Sequence, residues 1–534
     1  MRLPSVMGHS FSQVPRADIP RSSFDRSHGY KTTFDAGYLV PIYVDEALPG
    51  DTFNLSLTGF ARLATPLHPI MDNLFMSTFW FAVPIRLIWD NWQKFNGEQT
   101  DPGDSTDFLV PTMTAPGSGG YPVGHLSDYF GLPTGVDALT HVSLWHRAYN
   151  LIWNEWFRDQ NLQDSVTVDK DDGPDGHGNY VLLKRGKRHD YFTSCLPWPQ
   201  KGDAVELSFS GTAPVDFPTT FGDFSDARAA AGADRGTLEF KEASHASPGD
   251  VRVTSPGAGT GQETGFLRVT WPTDAEADLS QATAGTINEI RQAWQIQRMY
   301  ERDARGGTRY TEIVRAHFGV SSPDARLQRP EYLGGGRSPI LVTQVPQTSA
   351  TDVAVSPQGN LAAFGTAVLN RHGFTKSFTE HCVLIGLVSV QADLTYQQGM
   401  HKMFSRSTRF DFYWPALSHI GEQAVLSREI YADGSANDDD VFGYQERYAE
   451  YRYKPSQVTG QFRSTFAQSL DTWHLAQEFA TRPVLNQEFI EDDPPIDRVI
   501  AVDSEPHFLF DGFLSLRCAR PMPVYGVPGL IDHF

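Results

Sequence analysis

The chain reads as a mainly β protein whose strands are joined by long loops and a few helices. Three observations carry that expectation. Aromatic residues make up 12% of the 534 residues, and 46 glycines plus 35 prolines punctuate them. Turn formers at that density between aromatic-rich segments suit short strands better than a helical bundle. The third observation is local: Phe53, Leu55 and Leu57 alternate with Asn54, Ser56 and Thr58, the period of two that a half-buried strand requires.

Composition bounds the rest. The length allows two to four average domains, or one domain with large insertions. A chain of this size buries roughly three quarters of its unfolded surface and needs no staples. Cys195, Cys382 and Cys518 are odd in number and far apart, so neither a disulfide framework nor a zinc spacing can be built from them. That fits folding in a reducing compartment. The N-terminus lacks the apolar stretch of a secretory signal, and the longest apolar run, Cys382–Val390, is about half a membrane span. A soluble protein with no membrane insertion is expected. The formal net charge is −20, from 64 acidic and 44 basic side chains, which argues against nonspecific nucleic-acid binding by the whole surface.

Taken in order, residues 1–32 form an arm bearing Pro4, Pro15 and Pro20 with Arg2, Arg16, Arg21 and Arg26. It is either extended on a neighbour or a frayed terminus. The β pattern starts at Thr33 with TFDAGYLVPIYV and continues after the LPGD turn. Met76–Val83 is another apolar strand, and Ile85–Trp92 extends it or turns helical. Residues 96–142 are loop-like.

Leu144–Leu162 is the clearest helix. Trp145, Ala148, Tyr149, Ile152, Trp153, Trp156 and Phe157 fall on one stripe at i, i+3, i+4, i+7 and i+8. Ser143 or Thr140 is placed to cap it. Its rings, each burying on the order of 150–250 Å², suit a core or interface helix; nucleobase stacking or cofactor contact is the alternative. An acidic, glycine-rich turn follows, and then the cluster Lys184, Arg185, Lys187, Arg188, His189.

From about Asp203 to Asp278 small residues dominate, with strand-like pieces at Val205–Phe209, Val251–Thr254 and Phe266–Trp271. So long a loop-rich insert is uncommon and usually functional, and it reads as an exposed excursion. Helical spacing returns over Thr286–Arg302, ended by Gly306 and Gly307, and again over Tyr310–Phe318. Beyond Arg337 the best strands are Ile340–Val345, Val383–Val390, Arg409–Trp414, Ala424–Tyr431 and Phe508–Cys518. A helix over Leu470–Phe479, capped by Ser469, interrupts them. No repeat of 20–50 residues is present, which disfavours solenoids and propellers.

No catalytic, metal or cofactor constellation emerges. No histidine is followed by glutamate, so H-E-x-x-H is absent, as are G-x-S-x-G and the phosphate-loop ending. A calcium loop starting at Asp171 fails, because its third position is Gly173 and its twelfth is Leu182 where a bidentate glutamate belongs. Lys184, Arg185, Lys187 and Arg188 put four cations in five residues, flanked by Tyr180, Tyr191 and Phe192. That pattern suits phosphate neutralisation and base stacking on single-stranded DNA. A surface turn paired with the preceding acids is the plainer alternative.

The segments TFDAGYLVPIYVDEALPGDTF, RAYNLIWNEWFRDQNL, HDYFTSCLPWPQKG, FGYQERYAEYRYKPSQVTG and PVYGVPGLIDHF resemble the major capsid protein of microviruses, nearest to the gokushovirus branch of single-stranded DNA phages. The likeness runs in order from about Thr33 to Phe534, leaving Asp203–Asp278 unmatched. It implies an eight-stranded antiparallel viral jelly roll with long inter-strand insertions containing a few helices, in a single domain over 33–534. It further implies sixty copies in a T=1 shell around a circular genome, with 203–278 as a threefold surface protrusion used for host attachment. The partners implied are the chain itself, the packaged DNA, a small basic packaging protein, an internal scaffolding protein, a minor pilot protein and a host receptor. The place implied is the virion, after assembly in the bacterial cytoplasm. On this reading Lys184, Arg185, Lys187 and Arg188 face the DNA, and Trp145, Tyr149, Trp153, Trp156 and Phe157 pack an insertion against the barrel or a neighbouring subunit. A secreted β-sandwich glycan hydrolase or carbohydrate-binding module is the competing class.

Overall fold

The computed structural model describes residues 20–203, 205, 215–216, 239–242, 251–254, 265–266, 276–277, 287–307, 309–320, 328–349 and 358–525. Alternating burial is the rule that shapes it. The strand Thr52–Leu63 buries Phe53, Leu55, Leu57, Ala61 and Leu63 and turns its intervening residues outward. Phe508–Arg520 does the same with Phe508, Phe510, Leu514, Leu516 and Cys518. The two pair antiparallel, bringing Gly59 opposite Gly512. A side chain on Gly512 would lie 2.8 Å from the Phe510 ring, so only glycine lets that ring fill the barrel.

Eight long strands build the body. In chain order they are β1 (His28–Phe34), β2 (Val40–Ala47), β3 (Thr52–Leu63), β4 (Leu74–Pro84), β5 (Glu331–Pro346), β6 (Leu361–Ser377), β7 (Cys382–Ala392) and β8 (Phe508–Arg520). One sheet has the order β1-β8-β3-β6 and the other β2-β7-β4-β5, all antiparallel. Strand β5 joins them, pairing with β4 up to Ile340 and with β6 from Leu341. This is the expected jelly roll. Its core lies between the sheets, where Phe34, Ile42, Phe53, Trp80, Leu384 and Phe508 are buried together. Burial of each such side chain contributes roughly 1.5–3 kcal/mol.

The second sheet is covered on its outer face too. There Phe81, Val83, Val383, Ile385 and Leu387 pack under helix α1 (Leu144–Ile152) with Trp89, Met113 and Leu126. Strand β7 is consequently buried at every position. Helix α1 continues as one wider turn over Trp153–Phe157 and stops there, so Arg158–Leu162 lies outside it. Neither expected cap operates: Ser143 makes no capping bond, and the Thr140 hydroxyl pairs with Thr114.

Other expectations need correction. The sheet starts before Thr33, because Ser22–Asp25 and β1 both pair with β8; residues 1–19 of the arm lie outside the described residues. Leu470–Phe479 is not a helix beyond the short turn Asp471–Trp473. Its amide groups go elsewhere: Gln477 N donates to Thr395 O at 2.8 Å and Phe479 N to Gln398 Oε1 at 2.8 Å. Arg409–Trp414 is not a strand but begins with a tight turn. The Asp411 carboxylate accepts from Thr408 N at 2.7 Å and Ser407 N at 3.0 Å, and these bonds hold its pKa below the usual range. The strand expected over Ala424–Tyr431 ends at Leu426 and becomes a helical turn over Ser427–Ile430.

Residues 202–299 cluster as a second compact unit. Within it Glu239–Glu242, Val251–Thr254 and Gly265–Phe266 form a small antiparallel sheet, and Val215–Asp216 pairs with Glu276–Ala277. The expected strand pieces at 206–209 and 267–271 lie outside the described residues. Helix α2 (Ile287–Gly306) begins there and ends before Gly307 at φ +95°; α3 spans Tyr310–Phe318.

Under α1 the acidic turn is drawn into the protein. Arg147 is fully buried and forks onto Asp175, with Nε–Oδ2 at 2.6 Å and Nη2–Oδ1 at 2.5 Å. Its Nη1 also donates to Ile88 O at 3.1 Å and Asp171 O at 2.8 Å. The Asp175 carboxylate, fifth position of the calcium loop considered from Asp171, is spent on this guanidinium. Removing one partner of a buried pair leaves the other charge uncompensated, at about 3–5 kcal/mol. Arg147→Ala should therefore lower the urea midpoint of the unassembled subunit sharply, whereas Arg147→Met with Asp175→Leu recovers much of it. Equal losses in the single and double variants would refute this account.

Candidate nucleic-acid interface

Where α1 ends, its rings meet the basic cluster. The Trp156 ring lies 5.6 Å from Phe81 and 6.0 Å from Tyr332, and Phe157 lies 5.3 Å from Phe79. The chain returning through Arg185–His189 passes across the same surface. Together with Arg158 and Arg309 these residues bound a groove of about 590 Å³. Five cationic side chains and a histidine thus face five aromatic rings. Such a surface is chemically suited to a polyanion carrying flat bases.

The predicted cations do not share one environment. Lys184 lies outside the groove, 3.1 Å from Asp493 and 5.3 Å over the Tyr38 ring. Arg185 stacks over Phe79 at 4.9 Å, and burial pulls its pKa down to about 10. Lys187 donates to Phe489 O at 2.7 Å, and burial lowers its pKa also. Arg188 pairs with Asp393 but remains 44% exposed. Of the four, Arg188 presents its charge most freely.

The predicted aromatic residues divide similarly. Tyr149 is buried and donates to Leu39 O at 2.8 Å; Trp153 is buried and donates to Lys184 O at 2.9 Å. Trp145 is half-buried against the same cluster. These three fasten α1 to the subunit's own sheet. Trp156 bonds Pro330 O at 2.9 Å, has the Arg329 guanidinium 4.5 Å above its ring, and stays 37% exposed. It and Phe157 line the groove. Sequence reasoning missed Phe79, Phe81, Arg309 and Tyr332. Tyr332 and Arg309 sit more than 150 residues from Trp156, with no local pattern to mark them.

Behind the cluster Asp492 is buried. Burial pushes the Asp492 carboxyl up to about 7, against the opposing pull of Lys187 and Arg185, and its Oδ2 has no hydrogen-bond partner among the described residues. The folded state holds a proton there that the unfolded chain releases near 3.8. Between those values the native state binds more protons, so this group's contribution to stability falls as pH rises from about 4 to about 7. Asp492→Asn should flatten that part of the profile, read as urea midpoints at pH 4.5 and 7.5. Parallel profiles for wild type and variant would contradict the buried-proton account. Among the described residues no group of three or more His, Cys, Asp or Glu side chains could hold a metal ion, and no helix is long and apolar enough to cross a membrane.

A family model described as capsid protein (F protein) matches residues 12–530. Capsid protein VP1 of Bdellovibrio phage phiMH2K is 48% identical, covering 98% of this chain and 98% of that protein. Capsid protein VP1 of Chlamydia phage 1 is 45% identical over 99% of both, and that of Spiroplasma virus 4 is 39% identical over 98% of this chain and 97% of its own.

Proposed function

Because this chain belongs to the capsid protein (F protein) family, we propose that sixty copies of it close a T=1 icosahedral shell around a circular single-stranded DNA genome. The protein is the major capsid subunit, a structural and non-enzymatic component of the virion. The end-to-end match over a jelly roll is the observation that carries the reading. The glycan-enzyme alternative has no comparable support.

Charge shapes the rest of the proposal. Sixty copies at −20 each sum to a formal −1200, a field that repels packaged DNA unless the acids face outward and cations line the interior. The groove beside Trp156 is the inner-wall candidate, with Arg188 reaching phosphate and the part-exposed Trp156, one face of which Arg329 covers, bordering the base. A chain of net charge −20 leaves the neutralisation of packaged DNA largely to others, which makes a small basic packaging protein a fitting partner. An internal scaffolding protein and a minor pilot protein complete the set. The compact unit at 202–299 supports the reading of 203–278 as the protrusion that meets the host receptor.

Expressed alone or with its phage partners, the protein should give closed shells of one size by negative-stain microscopy. Shells carrying Arg188→Ser should hold less DNA, read from the 260/280 nm absorbance ratio. A chain that stays monomeric under every assembly condition and cleaves a polysaccharide would overturn the capsid reading. For the protrusion, deletion of Gly211–Gly261 should spare shells and abolish adsorption to the host. Adsorption retained with shells lost would reverse that assignment.

A further inference from the structure

Between β7 and β8 two segments fold against each other and leave an aromatic surface open. The Tyr448 hydroxyl donates to Phe410 O at 3.2 Å, and Tyr413 N donates to the Tyr451 hydroxyl at 3.3 Å. Around this seam Phe404 (71% exposed), Phe410, Phe412, Tyr413, Trp414 and Tyr451 all stand exposed. Residues 401–420 and 447–454 carry six lysines and arginines against two carboxylates, in a chain of net charge −20. Arg406 and Arg452 are paired with Glu450 and Glu446; among the described residues Arg409, Arg447 and Lys454 have no ion pair.

The composition is that of an interface centre, where Tyr, Trp, Phe, Met and Arg are enriched. Base stacking fits less well, because the chain's own arginines already cover ring faces. Arg409 lies 5.0 Å over Trp414 and Arg406 lies 4.3 Å over Tyr451. A complement exists on the same molecule. Residues 95–146 contain six carboxylates and no lysine or arginine. In that stretch Leu109 is 83% exposed, two residues after the exposed Asp107 and in the same segment as the exposed Asp101. Beside the seam a cavity of about 520 Å³ is lined by Tyr413, His419, Tyr448, Tyr451 and Arg452.

We propose that this surface binds a second copy of the chain, with Leu109 of that copy entering the tyrosine-lined cavity and Asp101 and Asp107 facing Arg409 and Lys454. The contact is heterologous, joining two different patches, and contacts of that kind close into rings when the rotation permits. Opposite charges set its register and suppress wrong pairings.

The proposal rests on self-assembly, so wild-type shell formation is the control that tests that reading separately. With wild type assembling, Asp101→Lys with Asp107→Lys should lower shell yield about tenfold or more, and Arg409→Glu with Lys454→Glu should do the same. All four changes in one chain should restore most of the yield, since every interface then carries the swapped pair. Urea midpoints of the unassembled variants separate misfolding from lost contact, and Leu109→Cys with Ser418→Cys, the latter also lining that cavity, should give disulfide-linked dimers and longer head-to-tail oligomers under oxidation. Unchanged yield in both charge reversals overturns the proposal, as does a quadruple variant no better than its parents without any crosslink. Normal shells with reduced DNA in the Arg409 variant would assign the surface to nucleic acid instead.

Discussion

Everything in this subunit depends on the two-sided burial of β7. All eleven residues of Cys382–Ala392 are shielded, with alternate side chains filling the barrel and the others lying under α1. A strand buried on both faces cannot shift register by one residue at a gain, because the shift only exchanges one apolar environment for another. Its neighbours must fix the register instead, and β2 and β4 do so along its length. The insertions between strands are therefore structural parts of the second sheet, not ornaments on its surface. The first sheet differs. Phe60, Val368, Leu509 and Phe513 leave its outer face open and partly apolar.

That asymmetry explains how a negatively charged chain handles its cations. Arg147, Arg185 and Lys187 lie within or against the layer covering the second sheet, where Arg147 meets a carboxylate, Lys187 a carbonyl, and Arg185 the Phe79 ring with its Nη1 left unbonded among the described residues. Moving such a group from water costs several kcal/mol unless its donors are satisfied. The cluster at 184–189 thus serves the fold first, as the links Lys187–Phe489 and Lys184–Asp493 bridge segments about 300 residues apart. Arg188 is the exception by geometry, since it lies where the chain emerges toward the groove.

What was legible in the sequence follows the range of the forces involved. The stripe from Trp145 to Phe157 is a local period and was readable, as were β3, β4 and β8. Strand β6 was not, because its inward positions include Ala363, Gly365 and Ala367. Gly365 is small out of necessity: a side chain there would lie 2.9 Å from Leu63, a residue 302 positions earlier. The false helix at Leu470–Phe479 failed for a related reason. Its apolar residues satisfy a helical spacing, yet its amides pair with Thr395 and Gln398, which no local pattern announces. The basic cluster was visible as composition, while the burial of two of its members was settled by β4 and by Phe489.

A closed shell asks its subunit to be rigid where sheets pack and adhesive where copies meet, and the chain separates these demands. Buried charge and aromatic mass hold α1 to the second sheet, inside one molecule. The exposed rings between β7 and β8 instead rest on short turns, with Asp411 and Glu429 capping local amides where longer secondary structure is absent. A surface so shaped is costly to leave in water, while each neighbour that covers it removes the cost at several points at once. Individually weak contacts repeated around a closed lattice then suffice, which is how a marginal interface becomes a stable shell without any single strong bond.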